Sequence, residues 1–159
     1  MIINSDNGAK DVLVDNLGNN GAAIVNSLFT DIGFTKADQS ADSYTFSVRS
    51  YSLILRFLYN ATFLTKEYSN QALSILSKAV YTDGLAAGLP QGTVIAQKFG
   101  EYIAGQDTVP APELHNCGIV YGTNPYLICV MTKGSAIEDL SNIIKDISKI
   151  VYNEVNGLK

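Results

Sequence analysis

The chain has 159 residues, 47% of them hydrophobic and 16% charged, with a net charge of −4 and a pI near 4.8. That is the size of one ordinary domain and apolar enough to bury a core, which excludes a disordered tail. Its 11 Lys and Arg are scattered rather than gathered in a stripe, which argues against nucleic acid, and no apolar run has the length of a transmembrane segment.

Near the start, Asp6-Asn7-Gly8 reads as the beginning of a helix, because Asp and Asn side chains accept hydrogen bonds from the free amides of a first turn. Val12, Leu13 and Leu17 follow on one helical face, and Gly18 stops the helix. A second helix is expected over Ala22–Phe29, ending near Gly33. Residues 35–45 form a polar connector. Ser47 caps a third helix running to Asn60, whose apolar face is Val48, Tyr51, Leu55, Leu58 and Tyr59. Thr65 caps the next, with Tyr68, Ala72, Leu76 and Ala79 inward. Asp83-Gly84 and Leu89-Pro90-Gln91-Gly92 are turns.

The texture then changes. Thr93–Phe99 alternates and begins with β-branched residues, which predicts a strand. Residues 103–113 form a proline-bearing loop. Leu114–Tyr121 and Tyr126–Thr132 read as strands, with Gly122-Thr123-Asn124-Pro125 turning between them. Ser135 with Glu138 predicts a capping box. The helix it opens carries Ile137, Leu140, Ile144, Ile147, Val151 and Val155 on one stripe. Lys133-Gly134, just before that cap, reads as a turn. The fold class is α+β: helices, then a three-strand antiparallel meander, then one long C-terminal helix.

Cys117 and Cys129 are too few for a disulfide scaffold and lack the spacing of a zinc pair. They face each other across the predicted hairpin; two buried thiols are expected, with a bridge as the alternative. A single histidine excludes a histidine-rich metal site, and no cofactor is expected. His115, at the start of a strand with no sequence partner, reads as a structural histidine.

Two tripeptides carry chemistry. In Ser5-Asp6-Asn7, a serine hydroxyl can relay a proton, an asparagine amide can donate to a substrate carbonyl, and the aspartate accepts backbone amides. In Lys98-Phe99-Gly100, a lysine on a strand lowers a serine's proton affinity and attracts a carboxylate. The glycine lets a substrate backbone lie against the strand edge. Singly, each is weak, because Ser-Asp-Asn is also a plain helix cap.

Together they resemble two of the three signatures of the penicillin-recognising serine hydrolases, S-D-N and, except at its middle residue, K-[TS]-G. The segments SDNGAKDVLVDNLG (5–18), LPQGTVIAQKFGE (89–101), ELHNCGIVY (113–121) and NPYLICVMTKG (124–134) resemble the C-terminal part of the class A β-lactamase-like family. The resemblance implies a single incomplete domain over 1–159, mainly helical over 1–92 and sheet plus helix over 93–159. It implies Ser5 as proton relay and Lys98 as the cation near the nucleophile, the two catalytic residues. Asn7, Phe99 and Gly100 would bind substrate, and Asp6 would be structural. The substrate would be a β-lactam or a peptidoglycan peptide, and the protein extracytoplasmic. The third signature, S-x-x-K, occurs nowhere in the 159 residues. The expectation is that the nucleophile lies in a missing N-terminal segment of the same domain and that these residues alone are inactive. No leader is visible in the polar run after Met1, which is uninformative if Met1 only begins a fragment.

Two departures from the family pattern stand out. Phe99 replaces a hydroxyl residue that normally bonds the substrate carboxylate, and Glu101 adds a negative charge just beyond it. The interval before Ser47 holds Asp31, Asp38 and Asp42 but no glutamate of the kind that activates the deacylating water in true β-lactamases. A slow acyl-enzyme, as in penicillin-binding peptidases, fits equally. The alternative reading is a non-catalytic cell-wall-binding or structural domain on the same fold.

Overall fold

A computed structural model describes residues 1–34, 46–103 and 111–158. The predicted connector 35–45, with Asp38 and Asp42, and most of the 103–113 loop lie outside the described residues. Among the described residues, five α-helices and three strands run in the order α1 (Asn7–Asp15), α2 (Gly21–Asp31), α3 (Val48–Asn60), α4 (Lys66–Leu76), β1 (Ile95–Tyr102), β2 (Glu113–Val120), β3 (Tyr126–Lys133) and α5 (Ile137–Val155).

Local capping chemistry sets most of the helix starts. The Asp6 carboxylate accepts from the Ala9 amide at 2.9 Å, and the Ser47 hydroxyl accepts from the Ser50 amide at 3.0 Å. The Thr65 hydroxyl accepts from the Tyr68 amide at 3.4 Å. The expected capping box at α5 does not form: Ala136 is the cap residue and makes no side-chain bond. The Gly134 amide donates to the Pro112 carbonyl at 3.0 Å, which ties the approach to the loop before β2. The helix therefore starts one residue later, and Glu138 comes too early in it to reach back. Tyr68, expected inward, is exposed; α4 turns the Ser69, Leu73 and Leu76 stripe inward instead. On α1 nothing is buried, and the Val12, Leu13 and Leu17 face is exposed.

The sheet order is β1-β2-β3, antiparallel throughout. β1 starts two residues later than expected and runs on to Tyr102, so Gly100 sits inside a strand. Side-chain alternation divides the sheet into two faces. One face carries Ile95, Leu114, Val120 and Ile128 against Leu140 and Ile144 of α5. The other carries Ala96, Cys117 and Ile119 against Leu55 of α3 and Leu73 and Leu76 of α4. Burying each such Leu or Ile contributes about 2 kcal/mol.

The cysteines correct the expectation of free thiols: Cys117 and Cys129 are a disulfide. They are direct partners in the β2–β3 register, and Cys117 is fully buried, so the only group opposite each sulfur is the other sulfur.

Residues 81–89 run between the sheet and α5, and buried polar groups hold them there. The Asn116 side chain accepts from the Leu85 amide at 3.0 Å and donates to Gln97 at 3.2 Å. Gln97 donates to the Tyr81 carbonyl at 2.7 Å, and Ser148 of α5 donates to the Leu85 carbonyl at 2.8 Å. These bonds satisfy backbone groups that would otherwise be buried without partners.

Candidate active site

Sheet geometry places Lys98 and Gly100 on the α3/α4 face of β1, with Cys117 and His115 opposite them on β2. β1 is an edge strand, so its outer margin faces away from β2. The turn leading into α1 comes up to this margin. Ser5 stands there with φ 51°, in the left-handed region, which costs an L-residue about 1–2 kcal/mol. The Asp6 amide donates to the Met1 carbonyl at 3.0 Å and closes the turn.

The result is a hydrogen bond between residues 93 apart: Lys98 Nζ donates to Ser5 Oγ at 2.6 Å. Lys98 Nζ also donates to the Phe99 carbonyl and lies 4.6 Å from the centre of the Phe99 ring. Among the described residues the ion pairs are Lys10 with Asp11 and Lys133 with Glu113, so Lys98 has no acidic partner. Its half-buried ammonium is held below its ordinary value by desolvation. A cation without a counter-ion, in contact with a serine hydroxyl, can pass a proton through that hydroxyl and draw in an anion.

A cavity of about 490 Å³ opens over this pair, lined by Ser5, Asn7, Lys98, Phe99, Gly100 and His115 among others. All five expected substrate and catalytic residues border it. Asp6 borders it too, with its carboxylate engaged as the α1 cap. Asn7 opens α1 and is exposed to the cavity. Phe99 turns to the α5 face, where its ring stacks on Tyr81 at 4.0 Å and 15°. Glu101 alternates to that same face, where its charge reaches Tyr81, and it also borders the cavity.

His115 and Tyr51 border the cavity as well, and sequence reasoning assigned neither to the site. The imidazole lies against Gly100, so close that a Cβ there has no room, and Tyr51 packs its ring edgewise on it at 5.4 Å. Burial first, and the Lys98 charge second, hold His115 below its ordinary value against the opposing pull of Glu113. Burial pushes the Tyr51 hydroxyl up to about 12, so it stays protonated. The cross-strand pairing of Gly100 with His115 was the available signal, once the strand was known to extend to Tyr102. Among the described residues no cluster of His, Cys, Asp and Glu is placed to hold a metal ion, and no helix is long and apolar enough to cross a membrane.

A family model described as the β-lactamase enzyme family matches residues 1–155. The solved structure of a protein named PBP-A is similar with a TM-score of 0.80 at 26% identity, covering 99% of this chain and 59% of that one. A PBP-A mutant solved as an acyl-enzyme complex with penicillin G gives 0.78 at 24% identity, covering 99% and 60%. A β-lactamase from Chitinophaga pinensis DSM 2588 gives 0.79 at 19% identity, covering 96% and 62%. The last two show likeness of fold. The chain spans about three fifths of each of these structures. No curated protein matches it.

Proposed function

The chain belongs to the β-lactamase enzyme family, and we propose that its residues form the proton-relay and substrate-holding half of a serine hydrolase site that works through an acyl-enzyme. The substrate is a β-lactam or a peptidoglycan peptide. The observation that carries this reading is the bond from Lys98 Nζ to Ser5 Oγ at 2.6 Å, made by residues far apart in sequence and bordering one cavity.

In this reading a serine of an S-x-x-K segment, outside these 159 residues, attacks the substrate carbonyl. An O–C bond forms as the attacking serine's proton passes to the lysine of its own S-x-x-K segment, and the C–N bond breaks. The nitrogen takes the Ser5 proton, and Lys98 replaces it from its ammonium, helped by a proton affinity already lowered by burial. Asn7 donates its amide to the substrate side chain, and the β1 margin at Gly100 receives the substrate backbone as an added strand. Asp6 holds the turn that presents Ser5. Export is the setting that fits a cell-wall substrate, and the Cys117–Cys129 disulfide fits an oxidising compartment.

Fluorescent penicillin tests this. The 159-residue chain alone takes no covalent label and does not turn over a chromogenic cephalosporin, while a longer protein containing it is labelled at the serine of an S-x-x-K. Labelling at any serine within residues 1–159 contradicts the assignment.

One observation favours a second reading, a non-catalytic cell-wall-binding domain. The position that carries a hydroxyl in the family holds Phe99, whose ring is taken up by Tyr81. Stoichiometric penicillin labelling of the longer protein rules that reading out.

A further inference from the structure

The row of the sheet that carries Lys98 continues across all three strands. Lys98 on β1 is the direct partner of Cys117 on β2, and Cys117 is the direct partner of Cys129 on β3, to which it is bridged. Directly opposed residues on one sheet face stand about 5 Å apart at their Cβ atoms. The lysine of the site therefore has a sulfur for its nearest neighbour along the sheet, and the proposed relay makes no use of it.

The two sulfurs differ in access. Cys117 is fully buried against Leu55 of α3 and Leu73 and Leu76 of α4, whereas Cys129 is partly exposed. An incoming thiolate reaches Cys129, and Cys117 is the sulfur that departs. Thiol–disulfide exchange is faster when the departing thiolate is stabilised.

The charges around Cys117 decide whether it is. Lys98 is the cation beside it on β1. Along β2 the next residue on the same face is His115, which burial and Lys98 keep below its ordinary value and so neutral near pH 7. From α3, Tyr51 stays protonated, and α4 turns only Ser69, Leu73 and Leu76 inward. The Met1 amine borders the cavity as a further cation. Of the carboxylates, Asp6 is held as the α1 cap, Glu113 is engaged by Lys133 at 2.6 Å, and Glu101 borders the cavity from the opposite sheet face. The charge facing Cys117 is therefore positive. Lys98 in turn has only neutral partners, the Ser5 hydroxyl and the Phe99 carbonyl. A half-buried ammonium bonds an anion more strongly than a hydroxyl, and a thiol beside a lysine ionises readily.

We propose that the Cys117–Cys129 bridge is a redox control on this site: closed, it leaves the Lys98 ammonium to Ser5, and opened by a dithiol, it frees Cys117 as a thiolate that draws Lys98 away from Ser5. One thiolate of the dithiol attacks Cys129 Sγ, and the S–S bond breaks toward Cys117. The second thiol then displaces Cys129, and the dithiol leaves as its own disulfide. Two electrons pass from the dithiol to the bridge. One of its protons ends on Cys129 and the other goes to solvent, so Cys117 keeps its charge against Lys98. The pairing of Cys117 with Lys98 does not depend on what the site binds; its effect on proton relay rests on the proposed serine hydrolase reading.

The test uses the 159-residue chain with dithiothreitol as the dithiol and the Lys98 Cε resonance, assigned through Lys98→Met, as the reporter. Reducing the wild type is expected to raise the midpoint of the Lys98 titration by about one pH unit, the scale of an opposite charge brought close. This measurement does not depend on a variant folding. Cys129→Ala and Cys117→Ala both lack the bridge. Cys129→Ala, which keeps the thiol beside Lys98, shows the raised midpoint without reductant, and Cys117→Ala does not; a bridge with a merely structural part moves both alike. At neutral pH the single thiol of Cys129→Ala shows thiolate absorbance in the ultraviolet, and adding Lys98→Met removes it. A midpoint that stays put on reduction, or a reduced chain that loses its folded amide dispersion, overturns the proposal. In a longer protein carrying the S-x-x-K serine, reduction slows acylation by fluorescent penicillin reversibly. Unchanged acylation beside a raised midpoint leaves the pairing standing and overturns the relay given to Lys98.

Discussion

Gly100 on β1 and His115 on β2 are direct cross-strand partners, and the imidazole occupies the space where any other residue at position 100 would begin its side chain. The glycine of the K-x-G element thus seats the ring that borders the cavity.

Gly100→Ala should therefore act on the histidine before it acts on the strand. The atoms a new Cβ would meet are the far end of the ring, so the ring turns away and the backbone stays. The expected cost is at the low end for overpacking, about 1 kcal/mol in urea unfolding. The Hε1 resonance should shift as the Tyr51 contact is lost. An unmoved resonance would refute the seating.

Lys98→Met should abolish binding of benzylpenicillin while changing stability by no more than about 1 kcal/mol, because removing a desolvated charge offsets the lost bond to Ser5. The alkaline limb gives a sign to check. The folded lysine gives up its proton below the ordinary 10.5, so the unfolded chain binds more protons in the window beneath that value. Wild-type stability should climb with pH there, and the Met variant should lack that climb.

The same linkage applies to His115 in acid. Its folded form is held below 6.5, so the unfolded chain takes up more protons as pH falls through that region. Wild-type stability should fall on acidification from neutrality, and His115→Gln should flatten that part of the curve in thermal unfolding.

Asn116→Ala should be costly far from the cavity. The side chain is fully buried and is the partner of both the Leu85 amide and Gln97. Truncation leaves an unpaired amide and a void, about 2–4 kcal/mol together. Since the 81–89 segment carries Tyr81 onto Phe99, the near-ultraviolet signal of that aromatic pair should weaken as well.

Reducing the Cys117–Cys129 bridge, which closes a loop of sequence separation 12, should lower the unfolding free energy by about 2–3 kcal/mol. Paired urea curves with and without a phosphine reductant would show it. Coincident curves would mean the sheet is held equally well without the covalent link.

Much of the architecture was readable because it is local. Ser47, Thr65 and Asp6 cap helices through bonds to residues three along, and the α5 stripe at Leu140 and Ile144 shows its period plainly. The site pair Ser5 and Lys98 was readable as motif, and the fold brings the two side chains into contact. What escaped depends on register. The disulfide needs Cys117 and Cys129 to be direct opposites rather than merely on neighbouring strands, and a slip of one residue would turn one of them to the other face. His115 became visible only when β1 proved long enough to carry Gly100 across from it. The α5 start was misplaced because a long-range bond, Gly134 to Pro112, outweighs the local preference of Ser135.

The backbone of Ser5 has a consequence for how this molecule can change. Its φ of 51° is a conformation that glycine adopts freely and serine does not. Any search for hardier variants at this position is pulled toward glycine, and glycine removes the hydroxyl that meets Lys98. Backbone ease and the contact with Lys98 are therefore set against each other at a single residue, and a chain that keeps serine there gives up thermal tolerance to keep that hydrogen bond.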